Sequence, residues 1–219
     1  VAEMEAHFER LWTLTQNVDG FHRQAGARNV IDIHGDFGVL LCPGCDAPIN
    51  TKSENMEAVV VMIEKIGMIT DRKEEARALS AGLRRRIKAV VDAVAGAPRP
   101  LVFLQINAKP LMTVGRGSFH DELISLAGGE NLAGGTDARY PQYSIEDVVK
   151  REPDYILIST MNRSGLFEQQ KTEWMRWANI PAVRNHRILF IDSDLIDRAS
   201  PRIVDGLEEM AKLIHPEAF

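Results

Sequence analysis

Residues 154–192 read DYILISTMNRSGLFEQQKTEWMRWANIPAVRNHRILFID. The opening DYILIST (154–160) is a short apolar run bounded by a proline and a polar segment, the pattern of a strand buried on both faces. LFEQQKTEWMRWAN (166–179) has helical character, and RILFID (187–192) is a second buried strand. Strand, helix, strand in that order implies a parallel pair joined by a crossover, with helices covering the sheet. An α/β fold follows from this one stretch.

The same alternation extends outward. SPRIVDGLEEMAKLIHP (200–216) predicts a closing helix, with Ser200 as N-cap and Pro201 at the first helical position. Upstream, LVFLQI (101–106) reads as a strand and LMTVG (111–115) as a further one. SFHDELISLAG (118–128) reads as a helix stopped by Gly128 and Gly129, and SIEDVVKREP (144–153) as a short capped helix. GAPRP (96–100) punctuates the chain. Before it, DRKEEARALSAGLRRRIKAVVDAVA (71–95) predicts a helix roughly 37 Å long at 1.5 Å per residue. SENMEAVVVMIEKIGMI (53–69) predicts another, with Ser53 as its cap. Residues 3–16 read as a helix. NVIDIH (29–34) and FGVLL (37–41) read as strands that Gly35 and Asp36 could join as a hairpin. Three regions are expected: residues 1–52, residues 53–97 with the long helix, and an α/β lobe over residues 98–219.

Composition narrows the function. The chain has 219 residues, 45% hydrophobic content and a formal net charge of −5. That balance argues against nucleic acid as a partner, because phosphate binding leans on a basic face. Arg84, Arg85, Arg86 and Lys88 lie within the long helix and read as a solvated face. No window approaches about 18 consecutive apolar residues, and VAEMEAHFERL at the start is charged and amphipathic, so no signal peptide is read in this chain. Both cysteines fall in LCPGCDAP, Cys42 and Cys45. A CxxC pair can be a redox couple, half of a metal site or a local disulfide. Here a structural turn is the favoured reading, since no second ligand pair exists for a zinc site.

IDSDLIDRASPR (191–202) crowds Asp192, Asp194, Asp197, Arg198 and Arg202 where a strand gives way to a helix. A solvated capping loop would explain it. So would a ligand-facing loop, because open α/β sheets bind ligands beyond the carboxyl ends of their strands.

Three stretches carry a resemblance in fixed order: PLVFLQINAKPLMTVGRGSFHDELISLAGGENLAG, then YPQYSIEDVVKREPDYILIS, then IDSDLIDRASPRIVDGLEEMAKLIHPE. Together they resemble the C-terminal lobe of class III periplasmic binding proteins, the vitamin B12, haem and ferric-siderophore receptors of ABC importers, and the likeness begins near residue 53. The resemblance implies a two-lobed α/β fold, a reduced or partial N-terminal lobe over residues 1–52, and an interlobe cleft beside a long helix. It implies an extracytoplasmic, periplasmic setting, an ABC permease as partner, a monomer, no resident cofactor and no resident metal. The cargo would be a metal chelate like cobalamin or cobinamide, with haem or a ferric siderophore as alternatives.

Carried over residue by residue, the resemblance gives Ile106, Asn107, Lys109 and Met112 as a cleft-facing loop after the first strand, with Ile106 and Met112 making its wall more aliphatic than in cobalamin receptors. Tyr140 stands where cobalamin receptors place a flanking aromatic; it can pack on a flat ligand, donate a hydroxyl, or ligate iron if deprotonated. Asp194 and Arg198 match an acid and an arginine that meet the corrin's amide edge, where acceptor and donor are both needed. Arg202 reads as structural. Glu146 matches an exposed carboxylate that docks onto the permease, or forms a capping pair with Ser144. The rival class is a thiol–disulfide enzyme using Cys42 and Cys45, against which no helix N-terminus is evident to lower a thiol pKa. GRGSFHDE (115–122) is not followed by a convincing Ser–His–Asp layout, so no catalytic residue is assigned.

Overall fold

The computed structural model describes residues 55–160 and 165–219, and before them the backbone of four short strands. Of these, β1 (Thr13–Thr15) pairs in parallel with β2 (Val30–Asp32), and β3 (Leu40–Leu41) pairs antiparallel with β4 (Pro48–Ile49). One expectation is corrected here. Thr13–Thr15 is strand, not the end of a helix over 3–16, in keeping with its two β-branched threonines. Gly35 and Asp36, where a hairpin was expected, lie outside the described residues. Cys42 and Cys45 lie outside the described residues.

Helix α1 (Met56–Ile69) begins at Asn55, whose side chain accepts the Ala58 N–H. Asn55, not Ser53, is therefore its cap. Helix α2 (Lys73–Ala93) is continuous over 21 residues, about 32 Å at the usual rise. It is shorter than the expected 71–95 because Asp71 adopts a left-handed backbone.

Four strands, β5 (Leu101–Gln105), β8 (Glu130–Asn131), β9 (Tyr155–Thr160) and β10 (Ile188–Asp192), form one parallel sheet in the order β10-β9-β5-β8. Between β5 and β8, a small hairpin of β6 (Asn107–Ala108) and β7 (Leu111–Met112) precedes helix α3 (Phe119–Leu126). LMTVG is thus a hairpin arm and not a sheet strand. Helix α4 (Ile145–Arg151) leads into β9. Helices α5 (Leu166–Trp174) and α6 (Pro181–Arg184) lie between β9 and β10, so the helix expected over 166–179 ends five residues early. After β10 come a single turn, α7 (Ser193–Ile196), and the closing α8 (Ile203–Ile214).

Strand periodicity sorts the core into two layers. Val102, Leu104, Tyr155, Leu157 and Ile191 face one way, packed under side chains of α1, α2, α3 and α8 such as Val60, Leu83, Val90, Ile124, Leu207 and Met210. Phe103, Ile156, Ile158 and Ile188 face the other way, against Val148, Trp174, Ile180 and Val183 of α4, α5 and α6. The result is a three-layer α/β lobe to which the α1–α2 pair is fused through the first layer. Arg86 of α2 strengthens that junction by donating to both Glu208 (2.7 Å) and Asp205 (2.6 Å) on α8. Arg84 pairs with Glu57 and Glu64 of α1. Two members of the basic run are thus spent on helix-to-helix ion pairs instead of a purely solvated face.

Candidate functional site

The strand order contains one reversal. From β5 the chain moves outward to β8, then crosses back over β5 to β9 and continues to β10. The carboxyl ends of β5 and β9 therefore flank a switch point, where segments leaving adjacent strands diverge and leave a crevice. Three segments converge there: the start of α3, the end of β9 and the turn after β10.

The local chemistry fixes each one. Ser118 donates to the Gly115 carbonyl (2.8 Å) and accepts the Asp121 N–H (3.2 Å), which starts α3 and seats Phe119 and His120 in its first turn. Asp192 caps α7 by accepting the Asp194 N–H at 2.9 Å. The charged stretch 191–202 is therefore not an open loop. It is a capped helical turn followed by a bend, and α8 begins at Ile203 with no side-chain cap, so Ser200 is not its N-cap.

That turn places Asp194 and Arg198 one turn apart, with Oδ1 and Nη2 3.9 Å from each other and about half of each side chain in solvent. The contact is too long for a firm hydrogen bond, so both groups keep their capacity for a ligand. Arg202 is exposed. Tyr140 is 45% exposed. Its segment runs beside the hairpin, held by Thr113 N–H to the Pro141 carbonyl (3.1 Å) and Gly115 N–H to the Arg139 carbonyl (2.9 Å). A Cβ at Gly115 would run into the Ala138 carbonyl oxygen, so the close approach needs glycine. Burial, with Asp197 adding to it and Arg139 opposing, pushes the Tyr140 phenol above its ordinary value. In the ligand-free chain Tyr140 thus offers a neutral hydroxyl.

Sequence reasoning passed over His120. Its ring is 4% exposed, stacks on Phe119 with centroids 3.9 Å apart, and meets the edge of Tyr140 at 6.3 Å. Nε2 lies 3.2 Å from Asp197 Oδ1, and Ser159 Oγ at the end of β9 donates to the same oxygen at 3.5 Å. Nδ1 is buried without a hydrogen-bond partner. Serine and histidine both converge on one carboxylate, so these three residues do not form a serine–histidine–acid relay. The arrangement braces Asp197 and does not activate a nucleophile.

The hairpin residues are placed differently. Ile106 packs against the core and its N–H bonds to the Met112 carbonyl at 3.0 Å. Met112 is half-buried and bridges to Gln142. Asn107 spends its amide on the Pro110 carbonyl (2.9 Å), and Lys109 lies 3.8 Å from Glu173 of α5. Ile106, Asn107, Lys109 and Met112 thus share the carboxyl end of the sheet with Tyr140. Asn107 and Lys109, however, serve the hairpin and α5.

Glu146 is exposed in the first turn of α4. Ser144 caps that helix by accepting the Asp147 N–H (3.1 Å) and donating to the Asp147 carboxylate (2.8 Å). The capping pair is Ser144 with Asp147, which leaves Glu146 outside it. A second concavity runs along the β8 edge between Arg99, Arg116 and Arg151. These arginines donate to the carbonyls of Gly129, Gly134 and Leu132, so the edge consumes them.

Comparison with known proteins agrees with this architecture. Residues 44–195 match the family described as periplasmic binding protein. Residues 1–71 match part of the Sir2 family, a partial match that no relative supports. The chain is 28% identical to a vitamin B12-binding protein of Vibrio campbellii over 160 residues, 72% of this chain and 56% of the relative. It thus spans little more than half the length of the vitamin B12-binding proteins it matches. An ABC transporter substrate-binding protein from Listeria monocytogenes EGD-e superposes with a TM-score of 0.74 at 20% identity, covering 97% of this chain and 79% of the other. A periplasmic haem-binding protein from Roseiflexus sp. RS-1 superposes with a TM-score of 0.70 at 19% identity, covering 91% and 71%. The fold is that of the class III periplasmic binding proteins, and these relatives are binding proteins, not enzymes.

Proposed function

We propose, from the premise that this chain belongs to the periplasmic binding protein family, that it is the receptor of an ABC importer. Its cargo is a metal chelate with an amide-bearing edge, of the cobalamin or cobinamide class, held outside the cytoplasm and delivered to a permease. One observation carries the reading: Tyr140, Asp194 and Arg198 lie on segments at the carboxyl end of the sheet, around its switch point, with polar capacity unspent. An aromatic wall with a separate donor and acceptor suits a flat ligand whose rim carries amides. The similarity to a vitamin B12-binding protein supports the same class. Exposed Glu146, outside the Ser144 cap, is the carboxylate assigned to permease docking.

Calorimetry against cyanocobalamin, dicyanocobinamide, haemin and ferrichrome tests the reading. Saturable binding of a corrinoid without turnover is expected. Preferential binding of haemin or ferrichrome would move the cargo to another chelate class, and failure to bind all four would remove the chelate reading.

A further inference from the structure

We infer that Asp197, braced by His120 and Ser159, is a ligand anchor for an N–H donor group, and that His120 is its positioning residue. This rests on the receptor reading above and deepens it by adding an acceptor site distinct from Asp194.

The geometry leads there in steps. Asp197 follows the α7 turn and its N–H bonds to the Ser193 carbonyl at 2.9 Å, so its backbone is fixed. On the side chain, Oδ1 takes both described contacts, His120 Nε2 at 3.2 Å and Ser159 Oγ at 3.5 Å. A carboxylate only accepts hydrogen bonds. Neutral His120 must therefore carry its proton on Nε2 to satisfy the pair, which leaves Nδ1 as a bare lone pair. Nδ1 is enclosed and has no hydrogen-bond partner among the described residues, so with the proton on Nε2 it is an unmet acceptor and not an unmet donor. An enclosed lone pair without a donor has a cost; among the described residues the ring holds Asp197 Oδ1 and packs between Phe119 and Tyr140.

The described hydrogen bonds leave Asp197 Oδ2 open, on a side chain that is 43% exposed. That oxygen is an acceptor held in one orientation beside an aromatic wall. Groups held in place before binding lose little freedom when the ligand arrives. Its matching partner is an amide or amine N–H. A ligand carboxylate there would meet like charge from Asp197, with Asp194 three residues away. Clamp and cargo class therefore point the same way: rim groups that donate.

The test combines two readouts. Long-range proton–nitrogen NMR of the ligand-free protein should show His120 with its proton on Nε2, a signature lost in Asp197→Asn. Calorimetry with cyanocobalamin and dicyanocobinamide should show about tenfold weaker binding for Asp197→Asn and for His120→Phe, the scale of one hydrogen bond to a charged group. Phenylalanine keeps the stack but has no donor. His120→Gln restores a donor and should recover most of the affinity, which a purely packing role would not produce. The inference is overturned if the wild type binds a corrinoid and the Asn and Phe variants bind it equally well, or if Gln fails to rescue while melting temperatures match. It is also overturned, with the receptor reading left standing, if the wild type binds only haemin, whose rim carries carboxylates and no N–H. Absence of binding to all of these probes overturns both.

Discussion

Arg198 shows how much a single side chain discloses before any coordinates exist. Beside Asp194 it supplies a donor next to an acceptor, as an amide edge needs, and the resemblance assigns that pair to a ligand. They were expected on a loop beyond the strand; Asp194 lies instead in the capped turn α7, and Arg198 in the bend that follows it. Arg198 contributes little to the fold, since it is mostly exposed and its one described contact is 3.9 Å long. Arg198→Ala should therefore weaken cyanocobalamin binding by about 1.5–3 kcal/mol while leaving the melting temperature unchanged; calorimetry and a thermal melt decide it. A sharp fall in melting temperature at undiminished affinity would make the charge cluster a structural device. His120 was not legible in the same way. Its partner is 77 positions distant, and their meeting depends on the order of strands in the sheet, which local pattern does not encode. Asp197 was visible only as one acid in a crowd.

Among the elements, those defined by strong local signals were legible. Ser118 and Ser144 cap the helices that follow them, and the apolar runs at 101–106, 154–160 and 187–192 are strands. Weak periodicity failed in Thr13–Thr15, where β-branched residues outweighed a helical spacing of apolar positions. Helix α2 is the element most open to test. Gly82 lies in its middle, and a Cβ there would meet only Arg85 Nη2 at 3.9 Å. Gly82→Ala should raise stability by about 1 kcal/mol in a denaturant titration. Unchanged or lowered stability would mean that the helix flank is less open than its geometry shows. The α2–α8 junction has its own signature. Arg86 bonds to Glu208 and holds its carboxyl below the ordinary glutamate range. A lowered folded value stabilises the protein above the unfolded value, about 4.3, and that stability is lost as pH falls through the lowered value. Since both side chains are partly in water, Glu208→Gln should cost about 0.5–1 kcal/mol at neutral pH. It should also flatten the acid limb of the stability curve. An acid limb parallel to that of the wild type would exclude the pair as its source.

At the scale of the whole molecule, the β-α-β order named the sheet, yet the position of β5 between β8 and β9 had to come from the structure. That central placement makes His120, Ser159 and Asp197 neighbours, although Ser159 and Asp197 are 38 positions apart and His120 and Asp197 are 77 apart. Closing loops of that span is entropically costly and tends to come late. In refolding, dicyanocobinamide binding should return with the slowest phase, after helical circular dichroism has recovered. Binding that returned with the earliest signal would show a site formed by one segment alone. The consequence reaches past folding: on the receptor reading, a molecule in which His120, Ser159 and Asp197 have not been brought together lacks its braced acceptor and should hold a corrinoid more weakly. Under the proposed function, tight loading would then report that the receptor's own lobe is whole.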